Sequence, residues 1–208
     1  ALLTTGYLDA AAIDISTGSR IAIDGARTRG GGDSDVHVRI AVDREYLGTT
    51  LEKTRDADIA VGGGGIAAAG NVTLLAPRDV ILAEGGAIVG QGIALRAGDD
   101  IITRTGSSIA ATGGLTLAAG DAQLHGSPGF GPGNVASISA LGRLASGGAM
   151  TLSAQTIEAA DIAAGSVAIS LTAGSGGSVA PGTEPPLSPG CTTAAICLGN
   201  VATPGALR

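Results

Sequence analysis

Large rings are almost missing from this chain: there is no tryptophan, one phenylalanine (Phe130) and two tyrosines (Tyr7 and Tyr46). A compact core built around aromatic side chains is thereby excluded. Lysine is scarcer still, with Lys53 alone, and the net charge is −6. The clustered cations that a phosphate backbone demands are absent, so nucleic acid is not an expected partner. No apolar run approaches 18 residues, and the most apolar stretch, residues 159–173, is broken by Asp161 and Gly165, so no membrane-spanning helix is expected. The first residue is Ala1, with no basic or hydrophobic leader after it, and the chain reads as a processed or excised piece of a longer protein.

Cysteine is limited to Cys191 and Cys197. Their separation is too long for a CxxC redox motif, and two ligands are too few for a zinc site. A small disulfide loop in an exported protein is the favoured reading, contributing about 2 kcal/mol through loop closure. Two unpaired thiols in a tail are the alternative.

What is present is glycine, 36 of 208 residues, and small aliphatics within an apolar fraction of 44%. They are ordered into a phrase of alternating apolar positions closed by alanine: Val72-Thr73-Leu74-Leu75-Ala76, Ile93-Ala94-Leu95-Arg96-Ala97 and Leu115-Thr116-Leu117-Ala118-Ala119. It returns as Met150-Thr151-Leu152-Ser153-Ala154 and Ile169-Ser170-Leu171-Thr172-Ala173. Alternation with period two specifies strands, and the small residues that follow suit tight corners. Three of the four intervals between first apolar positions are roughly twenty residues, too short for paired-helix repeats and without the Asn/Cys ladder of leucine-rich repeats. The longer interval, from Leu115 to Met150, holds Ser127-Pro128-Gly129-Phe130-Gly131-Pro132-Gly133, and insertions of this kind leave a repeat through its loops. The expectation is an all-β parallel β-helix, a solenoid with irregular loop insertions.

The same alternation begins earlier. Ile13 with Ile15, Ile21 with Ile23, and the run Val36, Val38, Ile40, Val42 each predict a strand, and Ile59 with Val61 resume the signal. Residues 44–58 are charged and lack periodicity, as an insertion would be. Pro181, Pro185, Pro186 and Pro189 end the pattern, since proline cannot donate to a strand ladder. The expected organisation is therefore a β-helix over residues 1–180, with insertions near 27–35, 44–58 and 127–146. A proline-rich C-terminal tail, residues 181–208, holds the cysteine loop.

The units Gly113-Gly114-Leu115-Thr116-Leu117-Ala118-Ala119-Gly120 and Gly147-Gly148-Ala149-Met150-Thr151-Leu152-Ser153-Ala154 resemble the "GGxLTLxA" repeats of filamentous-haemagglutinin-like exoproteins, the adhesins of Gram-negative bacteria exported by two-partner secretion. The resemblance covers about residues 59–180. It implies a right-handed β-helix, passage through an outer-membrane secretion partner, a secreted or bacterial cell-surface location, and service in a surface adhesin. The Asn-Pro export motifs of that family's N-terminal domain are absent, which implies an internal or C-terminal segment. An Arg-Gly-Asp tripeptide is also absent.

Chemistry-bearing residues are few. Asp79, Asp99, Asp100 and Asp121 recur at the ends of the repeated phrases. In register, Arg78 would lie over Asp99, Asp79 over Asp100, and Asp99 over Asp121. Carboxylates stacked one strand spacing apart, about 4.8 Å, repel unless a cation separates them. Calcium is one reading of such corners; aspartate as a turn former beside a surface arginine is the favoured one, so no cofactor or metal residue is assigned. His37 and His125 stand apart from any nucleophile or ligand partner. Residues 62–65 are four glycines, but no Lys-Ser/Thr follows as a phosphate loop requires. Paired carboxylates in a groove, as glycoside hydrolysis needs, are not evident, and no catalytic residue is expected.

The functional expectation is an adhesin segment, a shaft displaying binding loops to a receptor or glycan on host or bacterial surfaces. A structural spacer or a self-associating filament subunit is the alternative, and a polysaccharide-acting enzyme a distant third. Recognition is expected on the departures from regularity, residues 27–35, 44–58 and 127–146, because loops on a rigid frame carry binding more often than the frame. The equal alternative is that these segments only cap or decorate the frame.

Overall fold

The computed structural model describes residues 2–18, 20–29, 34–40, 57–121, 124, 136–171 and 196–204. Among these, every regular element is a strand. All the pairings are parallel and fall into three columns. In the first column, β2 (Ile13–Thr17), β4 (Val36–Ile40), β7 (Val72–Ala76), β10 (Ile93–Ala97) and β13 (Leu115–Ala118) lie side by side and continue into the last part of β14 (Ser137–Ala154) and, beyond it, of β15 (Thr156–Leu171). Ile13, Val36, Val72, Ile93, Leu115 and Met150 occupy successive positions of one stack. All six are buried, because strand alternation turns every second side chain inward.

The second column runs from β1 (Leu2–Ala10) through β3 (Arg20–Thr28), β5 (Ile59–Val61), β8 (Val80–Leu82) and β11 (Ile101–Thr103). It continues into β14, β15 (Thr156–Leu171) and β16 (Ile196–Ala202). Leu3, Ile21, Ile59, Val80, Ile101, Ile138, Ile157 and Ile196 are its matched positions. The third column shares the long strands and adds β6 (Ile66–Ala67), β9 (Ala87–Gly90) and β12 (Ser108–Ala111), stacking Leu8, Ala26, Ile66, Ile88, Ile109, Leu144, Ile162 and Val201. Small and medium aliphatics fill the space between the columns. That composition is what permits so many glycines, since most of the backbone's polar groups are satisfied by the neighbouring strand rather than by bulky packing.

The right-handed parallel β-helix expected from the repeats is corrected by this pairing. The hydrogen-bonded order β3-β5-β8-β11-β14-β12-β9-β6 returns to β3, so eight parallel strands close into a barrel with the remaining strands outside it. Closure arises because β3 and β14 run unbroken where a corner between columns was expected. In the shorter layers that corner is a true break, made by Gly65, Gly85 and Gly106 at φ of 66°, 69° and 74°. Those glycines split β5 from β6, β8 from β9 and β11 from β12. Neither β3 nor β14 contains a left-handed residue, and each therefore serves two columns as one strand.

Four of the five repeated phrases pair in the expected register, and the fifth does not. Val167, rather than Ile169, lies against Met150, while Ile169 lies against Leu152. Two irregularities in the β14–β15 ladder, between Ala140 and Arg143 and between Ser146 and Ala149, each absorb one residue of β14. A slip of two preserves which face each residue occupies, so hydrophobic alternation alone does not distinguish the registers.

The proline-rich tail contains an additional strand. β16 pairs with β15 from Ile157 opposite Ile196 to Ala163 opposite Ala202. Cys197, opposite Glu158, is disulfide-bonded; Cys191 lies outside the described residues, as do Tyr46, Lys53, His125 and Phe130. The expected insertion 44–58 is described only at Ala57 and Asp58, which lead into β5. The described part of 127–146 begins at Ala136 and is mostly β14, and Arg27 and Thr28 close β3.

Candidate functional site

The chemistry-bearing side chains gather at one corner, where the chain passes from the first column to the second. Asp58 precedes Ile59, Asp79 precedes Val80 and Asp100 precedes Ile101, and those three apolar residues are stacked partners. The carboxylates therefore stack too. Asp58, Asp79 and Asp99 are buried, and Asp100 is half-buried. One carboxylate oxygen from each of Asp79, Asp99 and Asp100 lies within 4.8 Å of the others.

Most of this geometry is a backbone cap. A strand entering a layer leaves a first amide that the ladder does not reach, and a carboxylate one layer away accepts from it. The Asp100 amide donates to Asp79 Oδ1 at 3.1 Å, and the Ser137 amide donates to Asp100 Oδ1 at 2.7 Å, joined by the Ser137 hydroxyl at 2.8 Å. Between the third and first columns the same device recurs. There Asn71 N donates to Asp35 Oδ1 at 2.7 Å and Gly92 N donates to Asn71 Oδ1 at 3.0 Å.

Arginines supply the positive charge. Arg78 Nε is 3.3 Å from Asp79 Oδ2 and 3.8 Å from Asp58 Oδ1, and Arg20 Nε is 3.9 Å from Asp58 Oδ2. Asp121, expected over Asp99, is instead paired with Arg96. Gly120, at φ 76°, turns the chain there, so that the Asp99 carbonyl accepts from Gly120 N while Asp121 N reaches back to the Ala97 carbonyl. Arg78 does stack on Asp99 through the backbone, since Asp99 N donates to the Arg78 carbonyl at 2.9 Å.

Burial, reinforced by the neighbouring charges of Asp100 and Asp79, raises the Asp99 carboxyl to about 7. Asp79 is raised by burial to about 6 against the opposing pull of Arg78. Asp100 is raised by burial too, against the hydrogen bonds from Ser137. All three carboxyls thus hold their protons to higher pH than a free aspartate does. One oxygen from each of these three carboxylates is fewer than the six to eight oxygens calcium takes, and Arg78 already lies beside them.

The other expected features lie elsewhere. His37 sits half-buried on β4 between Asp14 of β2 and Thr73 of β7. Gly65, last of the four glycines, is a left-handed corner, and a side chain on Gly64 would run into the Asp24 carbonyl. Asp58 and Ser137 were assigned to insertions on sequence grounds, yet both belong to this corner. The signal that identifies them is a polar residue directly before the first isoleucine or valine of a second-column strand.

The described residues at which three long connections begin and end share the corner as well. The chain leaves the described first-column strands after Ile40, after Asp121 and after Leu171, and re-enters the second column at Ala57, Ala136 and Ile196. Each of these three departures occurs between the same two columns. No family model, curated protein or solved structure matches the chain.

Proposed function

We propose that this chain is a segment of a secreted or cell-surface adhesin, in which the parallel sheet is a rigid frame and recognition resides in the connections along its first-to-second-column edge. The observation that carries the reading is the common position of the three long departures, after Ile40, Asp121 and Leu171. The points where the chain leaves and rejoins the frame lie on one edge, and loops on a rigid frame carry binding more often than the frame does. The repeat phrases that resemble filamentous-haemagglutinin-like exoproteins favour the same reading, and with it export through an outer-membrane partner and a receptor or glycan on a host or bacterial surface.

The test is to replace residues 41–56, 122–135 and 172–195 in turn by a short corner of the kind formed by residues 77–79. Binding to host cells, to other bacteria and to a glycan panel is then measured. Loss of binding from at least one variant that keeps its β-sheet circular dichroism is the expected result. Retention of full binding by all three, singly and combined, would sink the adhesin reading and leave a spacer.

A further inference from the structure

β7 is entered through Asn71, and the run Asn71-Val72-Thr73 has the form Asn-x-Ser/Thr that N-glycosyltransferases accept when x is not proline. The chain has three asparagines, each followed by valine, but after Asn134 and Asn200 the residue two places on is alanine. Only Asn71 therefore meets the requirement. Tripeptides of this form are common, and what distinguishes this one is how the sheet holds it.

Strand alternation turns Val72 into the core and puts Asn71 and Thr73 together on the outer face, Asn71 exposed and Thr73 half-buried. The Gly92 amide donates to Asn71 Oδ1 at 3.0 Å. A backbone amide can only donate, so this bond fixes the side chain with its oxygen towards the next layer and Nδ2 turned away from it. Among the described residues Nδ2 has no hydrogen-bond partner. The surface beside it is bare. The residues that precede the matched Ile93, Leu115 and Met150 are Gly92, Gly114 and Ala149, so the layers on that side add no side chain longer than a methyl.

Capping alone does not call for an amide. Asp35, Asp79 and Asp100 do the same job with a carboxylate. A second carboxylate next to Asp35 would not be prohibitive either, since those of Asp79 and Asp100 stand within 4.8 Å of each other. The nitrogen of Asn71 is thus surplus to the fold.

We propose that Asn71 is an N-glycosylation site, its Nδ2 taking the anomeric carbon of a sugar activated as a diphosphate. In that transfer the bond from the anomeric carbon to the diphosphate oxygen breaks and the diphosphate leaves with the electron pair. The bond from Nδ2 to that carbon forms, and one Nδ2 proton passes to a base of the transferase. The side-chain carbonyl is untouched, so Oδ1 keeps its bond to Gly92 and the glycan projects from the outer face without loss of the cap. Asn71 lies between the third and first columns, apart from the corner of the long connections, and the proposal holds whether or not the chain binds a receptor.

The test is peptide mass spectrometry on the protein purified from the cells that produce it. Trypsin cuts after Arg55 and Arg78, and the peptide 56–78 holds one asparagine and, in Thr73, one hydroxyl. The expected result is this peptide heavier by a glycan, with fragment ions that place the sugar on Asn71. A stepwise ladder of single sugars identifies a nucleotide-sugar donor, and a block of constant mass a lipid-linked one. Made in the same cells, N71D retains an oxygen for the Gly92 amide but should lose the glycan completely, as should T73A, whereas T73S should keep it. Wild-type protein that yields only the unmodified peptide would overturn the proposal, a readout that needs no variant. So would a sugar on Thr73 that survives N71D.

Discussion

Asp99 holds its carboxyl in a place where ionisation is costly, buried and beside two other carboxylates. Its pKa is about 7 in the folded chain against an ordinary 3.8, so the folded state binds the proton more tightly than the unfolded one. The sign follows by linkage: this contribution to stability is fully present below pH 3.8, declines as the pH rises, and is gone above about 7. Asp79, raised to about 6, acts in the same direction over a lower window. The melting temperature should therefore fall between pH 5 and pH 8. Asp99→Asn should flatten that slope and raise the melting temperature at pH 8, with about 2–4 °C for each ~1 kcal/mol recovered; thermal unfolding of both proteins across pH checks this. The stacking of Asp79 on Asp100 was legible in the sequence because both precede a matched apolar residue at the same offset. The pairing of Asp121 with Arg96 was not, because it depends on the left-handed turn at Gly120, which alternation does not encode.

Among the elements, the breaks matter as much as the strands. Gly65 and Gly85 both sit in left-handed backbone at the same corner of successive layers, yet their surroundings differ. A side chain at Gly85 meets nothing within 4 Å, whereas one at Gly65 would overlap the backbone of Ala87 in the next layer. Gly85→Ala should cost only the left-handed penalty, about 1–2 kcal/mol. Gly65→Ala should cost clearly more, because β9 must move as well; chemical denaturation of the two variants compares them. An equal loss would mean that the corner relaxes freely. The strand phrases themselves were readable from period two and the corners from glycine and alanine. The continuity of β3 and β14, which closes the barrel, was not readable: Asp24-Gly25 and Leu141-Gly142 look like corners but remain extended. β16 escaped notice because the prolines before it end the repeat pattern.

Over the whole molecule, order should be graded rather than uniform. Among the described residues, strands in the middle, such as β7, β10 and β13, are bonded on both sides, whereas β1, β2 and β16 are bonded on one. In a stack where stability comes from nearest neighbours, opening begins at the ends and moves inward. Amide exchange of the dilute chain should show protection highest around Leu74, Leu95 and Leu117, which are fully buried, and falling towards both termini. Uniform protection would indicate a single cooperative unit instead.

The shared edge of the three long connections also has a metric. β4 and β13 are three pairings apart in the first column, and β13 and β15 two, so at one strand spacing each the departure points stand about 14 Å and about 10 Å apart. Strand spacing is set by backbone hydrogen bonds and hardly varies with side chains. Side-chain substitutions in the layers should therefore leave the spacing of the anchor points almost unchanged. The frame thus acts as a ruler for the points from which the three connections start, fixing their intervals through the backbone rather than the side chains.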